Sequence, residues 1–343
     1  MFRELLGVDL PIVQAPMAGV QTSAMAIAVS NAGGLGSLPC AMLSPEQMRA
    51  EMAAMRAAGA GAFNVNFFCH TPPVPDAARE AAWRAALAPY YEEFGIDPAA
   101  VPATPGRAPF SREALDVIQE FRPRVVSFHF GLPSEQLLAG VRATGAAILG
   151  CATTVQEALW LEARGVAGIV AQGWEAGGHR GMFLSEDTAA QLGVFALVPQ
   201  IVRAVKVPVI AAGGIAGAEG VAAGLALGAA AVQVGTSYLL CREASTNPAY
   251  RAALKSPDAG ETAVTRLFSG RPARGIVNRL MRDLGPMNAV APAFPLASAA
   301  LAPLRAKAES RGDGGFSPLW CGQNPAGCSE ISAADLTRRL AGL

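Results

Sequence analysis

Nine residues, Gly173-Trp174-Glu175-Ala176-Gly177-Gly178-His179-Arg180-Gly181, combine four glycines with one of the three histidines in the chain. Glycine lets a backbone lie tight against a ligand. An imidazole titrates near neutral pH and suits proton transfer or hydrogen bonding to an anion. An ordinary glycine-rich turn with a satisfied histidine fits the same residues, and the rest of the chain must decide. His129, in Ser127-Phe128-His129-Phe130-Gly131, is read either as a second substrate-site histidine or as a ring locked to backbone groups. His70 precedes Thr71-Pro72-Pro73 and reads as a loop residue. Arg180 either pairs with Glu175 or attracts an anion.

Other clusters carry groups that a flat ligand with a phosphate tail needs. Gln14-Ala15-Pro16-Met17-Ala18-Gly19 is a stiff run of small residues against which a ring can lie. Asn64 and Asn66 stand two apart and share one face of a strand. An amide offers donor and acceptor together, as the mixed edge of a pyrimidine-like ring requires. Gln172 adds an amide directly before the glycine loop. Ala212-Gly213-Gly214-Ile215 and Gln233-Val234-Gly235-Thr236 expose consecutive backbone N–H groups, with a hydroxyl at Thr236, and this suits a phosphate without lysine or arginine.

These groups converge only if their elements surround one point. Short apolar runs at 12–14, 35–38, 63–67, 125–130, 146–149, 168–171, 207–211 and 231–234 alternate with alanine-rich helical segments such as 45–58, 111–121, 155–164 and 218–227. The alternation predicts an α/β fold, a (β/α)8 TIM barrel whose ligands sit at the C-terminal ends of the strands. No G-x-G-x-x-G follows the first strand, which argues against an open dinucleotide-binding sheet. On this frame the phosphate-suited glycines fall at the last two strands and the amides at the third and sixth. FMN meets that description; a sugar phosphate meets half of it.

Two segments break the alternation. Residues 70–110, rich in proline, predict a lid-like insertion with a helical piece at 76–94. Residues 1–240 form the barrel with this insertion, and 241–343 a mainly helical cap and tail over its mouth. In the cap, Ser269-Gly270-Arg271-Pro272-Ala273-Arg274-Gly275 reads as a hairpin with surface arginines, the alternative being that Arg271 and Arg274 steer an anion. Phe294 and Trp320 are the large aromatics available to close a pocket.

Composition removes several classes. Of 343 residues, 52% are hydrophobic and 16% charged, which suits a large buried core rather than disorder. The formal net charge is zero and no basic stripe stands out, so no nucleic-acid partner is expected. Six cysteines without a C-x-x-C pair predict neither a disulfide framework nor a metal site. Arg3, Glu4 and Asp9 interrupt the N-terminal residues, unlike a secretory signal. The uncharged run 220–241 contains four glycines and splits into helix-like and strand-like halves, unlike a membrane span. A soluble, cytoplasmic protein with no membrane partner follows, its oligomeric state left open.

Gln14-Ala15-Pro16-Met17-Ala18-Gly19, Asn31-Ala32-Gly33-Gly34-Leu35-Gly36, Glu175-Ala176-Gly177-Gly178-His179-Arg180-Gly181 and Gln233-Val234-Gly235-Thr236, in that order, resemble the nitronate monooxygenases, formerly called 2-nitropropane dioxygenases. The resemblance spans residues 5–280. It implies an FMN-dependent barrel that oxidises alkyl nitronates, or nitroalkanes, with molecular oxygen. It puts Asn66 and Gln172 on the flavin, Gly177 and Gly214 at close backbone approach, and Gln233, Val234, Gly235 and Thr236 along the ring side and phosphate. With Ala15, Pro16, Met17, Gly178 and Gly213 these make up the expected cofactor site. His179 matches the family's active-site histidine, and a histidine at 129 is similar to the nitronate enzymes.

The wider flavin family includes enoyl-acyl-carrier-protein reductases and NADH:quinone reductases. An FMN-dependent NAD(P)H reductase is therefore the competing activity, and a flavin-binding protein without substantial turnover is a third reading. Members of the branch bring tyrosines from the cap to the pocket. Here the tyrosines are Tyr90, Tyr91, Tyr238 and Tyr250, which implies a more apolar or differently held substrate.

Overall fold

The computed structural model describes residues 2–101 and 107–343; the remainder of the expected insertion, 102–106, lies outside the described residues. The apolar runs become strands β1 (Ile12–Gln14), β2 (Gly36–Pro39), β3 (Phe63–Phe68), β4 (Val125–His129), β5 (Ala147–Ala152), β6 (Gly168–Gln172), β7 (Val209–Ala212) and β8 (Ala231–Val234). From β2 onward each pairs in parallel with its successor in sequence, and β8 pairs with β1. A parallel bridge between Val13 and Leu35 completes the ring. The expected barrel is present. β4 stops one residue before the predicted end because Phe130 turns into the left-handed region, at φ 68°.

The barrel has two apolar shells because side chains alternate along each strand. Val13, Leu149, Val170 and Ile210 form one cluster with Leu6 from α1 (Phe2–Leu6). Their sequence neighbours Ile12, Ile148, Ile169 and Val209 belong to the other, which packs against surrounding helices. Those helices are α2 (Ser23–Asn31), α3 (Pro45–Ala57), α5 (Arg112–Phe121), α6 (Glu135–Arg142), α7 (Val155–Glu162), α8 (Val194–Ala204) and α9 (Ala218–Ala226), α4 being the insertion's helix. Thr22, Ser44, Ser111 and Thr154 each accept a first-turn N–H, and Ser44 and Gln47 form a capping box.

The insertion's helix α4 (Ala77–Phe94) starts on the Asp76 cap and ends at Gly95 in the left-handed conformation. It packs on α12 (Ala297–Glu309) from the C-terminal part of the chain. Trp83, Leu87, Tyr91 and Phe94 share one buried cluster with Leu301, Leu304 and Phe316. Trp83 Nε1 donates to the Ala297 carbonyl at 3.1 Å and Tyr91 Oη to that of Ala300 at 2.7 Å.

Helices α10 (Pro248–Lys255) and α11 (Arg279–Leu284) flank an antiparallel hairpin of β9 (Thr262–Thr265) and β10 (Ala273–Ile276). Helix α13 (Ala333–Leu340) instead returns to the barrel and packs against α2 and α9. Among the described residues no helix is long and apolar enough to cross a membrane.

Candidate functional site

A cavity of about 230 Å³ lies at the C-terminal ends of the strands. Ala15, Pro16 and Met17 line it after β1, Asn66 on β3, His129 on β4 and Gln172 on β6. Gly177, Gly178 and His179 follow from the glycine loop, Gly213 and Gly214 from the end of β7, and Gln233, Gly235 and Thr236 from β8. Val234 is the exception among the expected residues. Strand alternation that turns Gln233 inward turns Val234 outward, where it is 1% exposed in the core facing the helices. Among the described lining residues none is acidic, and the charged ones are Arg107 and Arg305.

The glycine loop is held as a strand. Gly178–His179 pairs antiparallel with β10, Ala273 opposite His179 and Arg274 opposite Gly178. The β9–β10 hairpin thereby fixes the histidine over the barrel. His179 Nε2 lies 2.8 Å from Ser269 Oγ. Its ring is surrounded by Phe294 at 5.3 Å, Trp320 at 5.4 Å, Phe130 at 6.0 Å and Phe68 at 6.1 Å, centroid to centroid. Burial holds its pKa well below the ordinary value of 6.5, and the positive charge of Arg107 is the next largest cause. The imidazole is therefore neutral at physiological pH.

The loop's glycines have different reasons. A Cβ on Gly177 would stand 2.5 Å from the backbone N of Gly322, and one on Gly181 would stand 2.6 Å from Cys151 Sγ. Both positions are small so that protein can pack against protein. Gly178, at φ 73°, has nothing within 4 Å of a built Cβ and opens to the cavity. Arg180 takes neither expected role. It is fully buried and donates to the carbonyls of Gly173 at 2.7 Å and Gln172 at 2.9 Å and to Gln191 Oε1, lashing the loop to β6. Glu175 accepts instead from the Val194 N–H at the start of α8.

The amides divide similarly. Gln172 donates from Nε2 to the His179 carbonyl at 3.0 Å and accepts at Oε1 from the Gly181 N–H at 2.8 Å, so it braces the loop. Asn66 donates to Ser127 Oγ at 2.8 Å. Its Oδ1 accepts from no group among the described residues. Asn64 sits deeper, 1% exposed, and does not line the cavity. His129 Nε2 lies 3.1 Å from the same His179 carbonyl, and burial brings its pKa down to about 4. It borders the cavity while tied to the backbone, so the two readings of this residue meet in one place.

His70 packs edge-on against Phe294, 4.8 Å between centroids, outside the cavity lining, as a loop residue. The hairpin arginines are not on the surface as expected: Arg274 is 3% exposed and donates to the Trp174 carbonyl at 3.1 Å. Arg271 donates to the Met182 carbonyl and lies 4.1 Å above the Phe130 ring. Pairing the hairpin with the glycine loop buries Arg274 and leaves Arg271 half-buried. Phe294 and Trp320 do close over His179, and Tyr250, its hydroxyl donating to the Trp320 carbonyl, lines the cavity. Sequence reasoning missed Ser269 as a partner of His179 and Arg107 as a lining residue. No local motif marks either, because long-range packing delivers them.

A family model described as nitronate monooxygenase matches residues 1–342. The chain is 45% identical over 342 residues to a nitronate monooxygenase of Pseudomonas aeruginosa, covering 99% of this chain and 97% of that one. Among solved structures it is similar to a nitroalkane oxidase from Streptomyces ansochromogenes, with TM-score 0.90, 37% identity and coverage of 99% and 96%. It is also similar to FabK from Thermotoga maritima, with TM-score 0.74, 26% identity and coverage of 98% and 93%.

Proposed function

From the premise that this chain belongs to the nitronate monooxygenase family, we propose that it is a cytoplasmic enzyme that oxidises alkyl nitronates, and nitroalkanes after deprotonation, with FMN and molecular oxygen. The observation that carries the reading is a half-buried His179, ringed by aromatic side chains, on the wall of a cavity without a carboxylate among its described lining residues.

The residues present fit FMN. Gly178 leaves room for a ring where a Cβ would intrude, and Gly213 and Gly214 turn through φ 121° and φ 69° at the end of β7. Thr236 Oγ1 accepts from the Gly322 N–H at 2.9 Å, which leaves its own proton to donate to a phosphate oxygen. Asn66 Oδ1 is an open acceptor for a ring N–H. Ala15, Pro16 and Met17 supply the flat wall. Bound there, FMN would supply the electron acceptor that oxidation of the nitronate carbon requires.

The chain's own contribution centres on one proton. Ser269 Oγ also lies 3.4 Å from the Arg271 carbonyl. If its hydroxyl donates there, His179 donates to it from Nε2, and the lone pair is on Nδ1, which has no partner among the described residues. A neutral nitroalkane loses its α-proton to that Nδ1, and the carbon's electron pair delocalises into the nitro group to give the nitronate. A substrate that arrives ionised needs no such step, and the ring then acts as a hydrogen-bonding partner. Phe68, Phe130, Phe294 and Trp320 exclude water from the reacting carbon.

His179→Asn is expected to lower turnover of a neutral nitroalkane by roughly 10²- to 10⁴-fold, the usual worth of a general base. Oxygen uptake with the preformed nitronate should fall less. Nitroalkane turnover that survives intact would remove His179 as the base.

A further inference from the structure

The cavity contains a cation that no group among the described residues neutralises. Arg107 lines it just before α5, with Nε buried and unpartnered, and among the described residues its guanidinium makes no hydrogen bond or ion pair. Its contact is the face of Phe294, 5.7 Å from the ring centroid, and the same ring packs on His179. The neighbouring arginines are different. Arg180, Arg271 and Arg274 each hold backbone carbonyls, and Arg305 is bridged to Glu309 at 2.7 Å. A packing role accounts for those four and leaves Arg107 unexplained.

A guanidinium stays protonated even when buried. Left without an acceptor it is costly, and an anion entering the cavity relieves that cost. Arg107 follows β3 and precedes β4, across the barrel from the phosphate-suited glycines of β7 and β8. The cofactor's phosphate is thus not its partner. The remaining anion is the substrate, whose planar pair of oxygens matches the fork of a guanidinium.

We propose that Arg107 anchors the negatively charged nitronate and so selects the ionised substrate over its neutral conjugate acid. This rests on the function proposed above and names the form of substrate that the site takes. The charge that binds the anion also keeps His179 neutral, because Arg107 is the strongest of the charges acting on that ring.

The test uses flavin-loaded wild type, Arg107→Gln and Arg107→Lys, with oxygen uptake measured on ethylnitronate and nitroethane in parallel. Arg107→Gln should raise KM for the nitronate roughly 30-fold, the size of a lost charge-assisted hydrogen bond. KM for nitroethane should change by less than about threefold, and Arg107→Lys should recover part of the loss. The acid limb of kcat/KM in Arg107→Gln should move to higher pH, a displacement that a purely structural defect does not produce. Equal changes for both substrates, or none, would overturn the proposal.

Calorimetric titration with nitrate, an unreactive planar monoanion, separates this inference from the reaction itself. Nitrate binding to wild type that is lost in Arg107→Gln supports the anchor even if no nitronate is oxidised. Nitronate oxidation with nitrate binding unaffected by the substitution rejects the anchor and leaves the proposed function standing.

Discussion

His179 stays uncharged in the folded protein because burial and Arg107 both penalise its cation. His70 and His129 are brought down to about 4 from the ordinary 6.5, burial being the first cause for each. Below pH 6.5 the unfolded chain takes up protons that the folded chain refuses. Stability is therefore full above pH 6.5 and declines as pH falls towards 4. Each ring contributes up to about 1.4 kcal/mol to that decline for every tenfold weakening of its proton affinity on folding. Denaturant midpoints measured at pH 7.5, 5.5 and 4.5 should fall in that order, and a midpoint independent of pH would contradict the lowered proton affinity of these rings. The acid limb of kcat/KM for a neutral nitroalkane should likewise lie below pH 6.5. At this scale the sequence was readable where residue type and strand period agree, as with Asn66, Gln172 and Gln233, which line the cavity. It misled at Val234, one step out of register with its neighbours, and at Arg180, whose burial depends on the loop folding back on β6. Arg107 carried no local signal because a proline-rich stretch has no period to assign its direction.

The decisive element is the two-residue strand Gly178–His179 clipped to β10. Two residues have no hydrophobic period, and their partner lies more than 90 positions away, so a glycine-rich loop was all that local pattern conveyed. The eight barrel strands were legible because each is an apolar run with turn residues at its ends. The clip explains why the loop needs Gly177. Its missing side chain admits Cys321 and Gly322, which bring Trp320 over the histidine. Gly177→Ala places a Cβ 2.6 Å from the Cys321 carbonyl carbon, so the C-terminal backbone must shift. The expected cost is about 1–3 kcal/mol in chemical denaturation, accompanied by loss of bound flavin. Wild-type stability and flavin content in this variant would show that the close approach is dispensable.

Across the whole molecule, the insertion and the C-terminal segment share an apolar core that neither builds alone. This unit positions Phe294 and Trp320 above a barrel whose strand ends line the cavity. Helices at 76–94 and after 240 were legible from composition, but their mutual packing was not, since more than 200 residues separate Trp83 from Ala297. A largely apolar cavity with two arginines and no acidic side chain among its described lining residues, beneath an aromatic roof, suits a small anion reacting against a flat cofactor. The competing NAD(P)H reductase reading names NADH as the donor to set against the nitronate. The most direct test mixes the purified protein anaerobically with ethylnitronate and, separately, with NADH, while its visible absorption is followed. The account predicts a yellow, FMN-containing protein whose flavin absorption falls with the nitronate and stays unchanged with NADH. A colourless protein that takes up no FMN, or a flavin bleached by NADH and untouched by the nitronate, would contradict it.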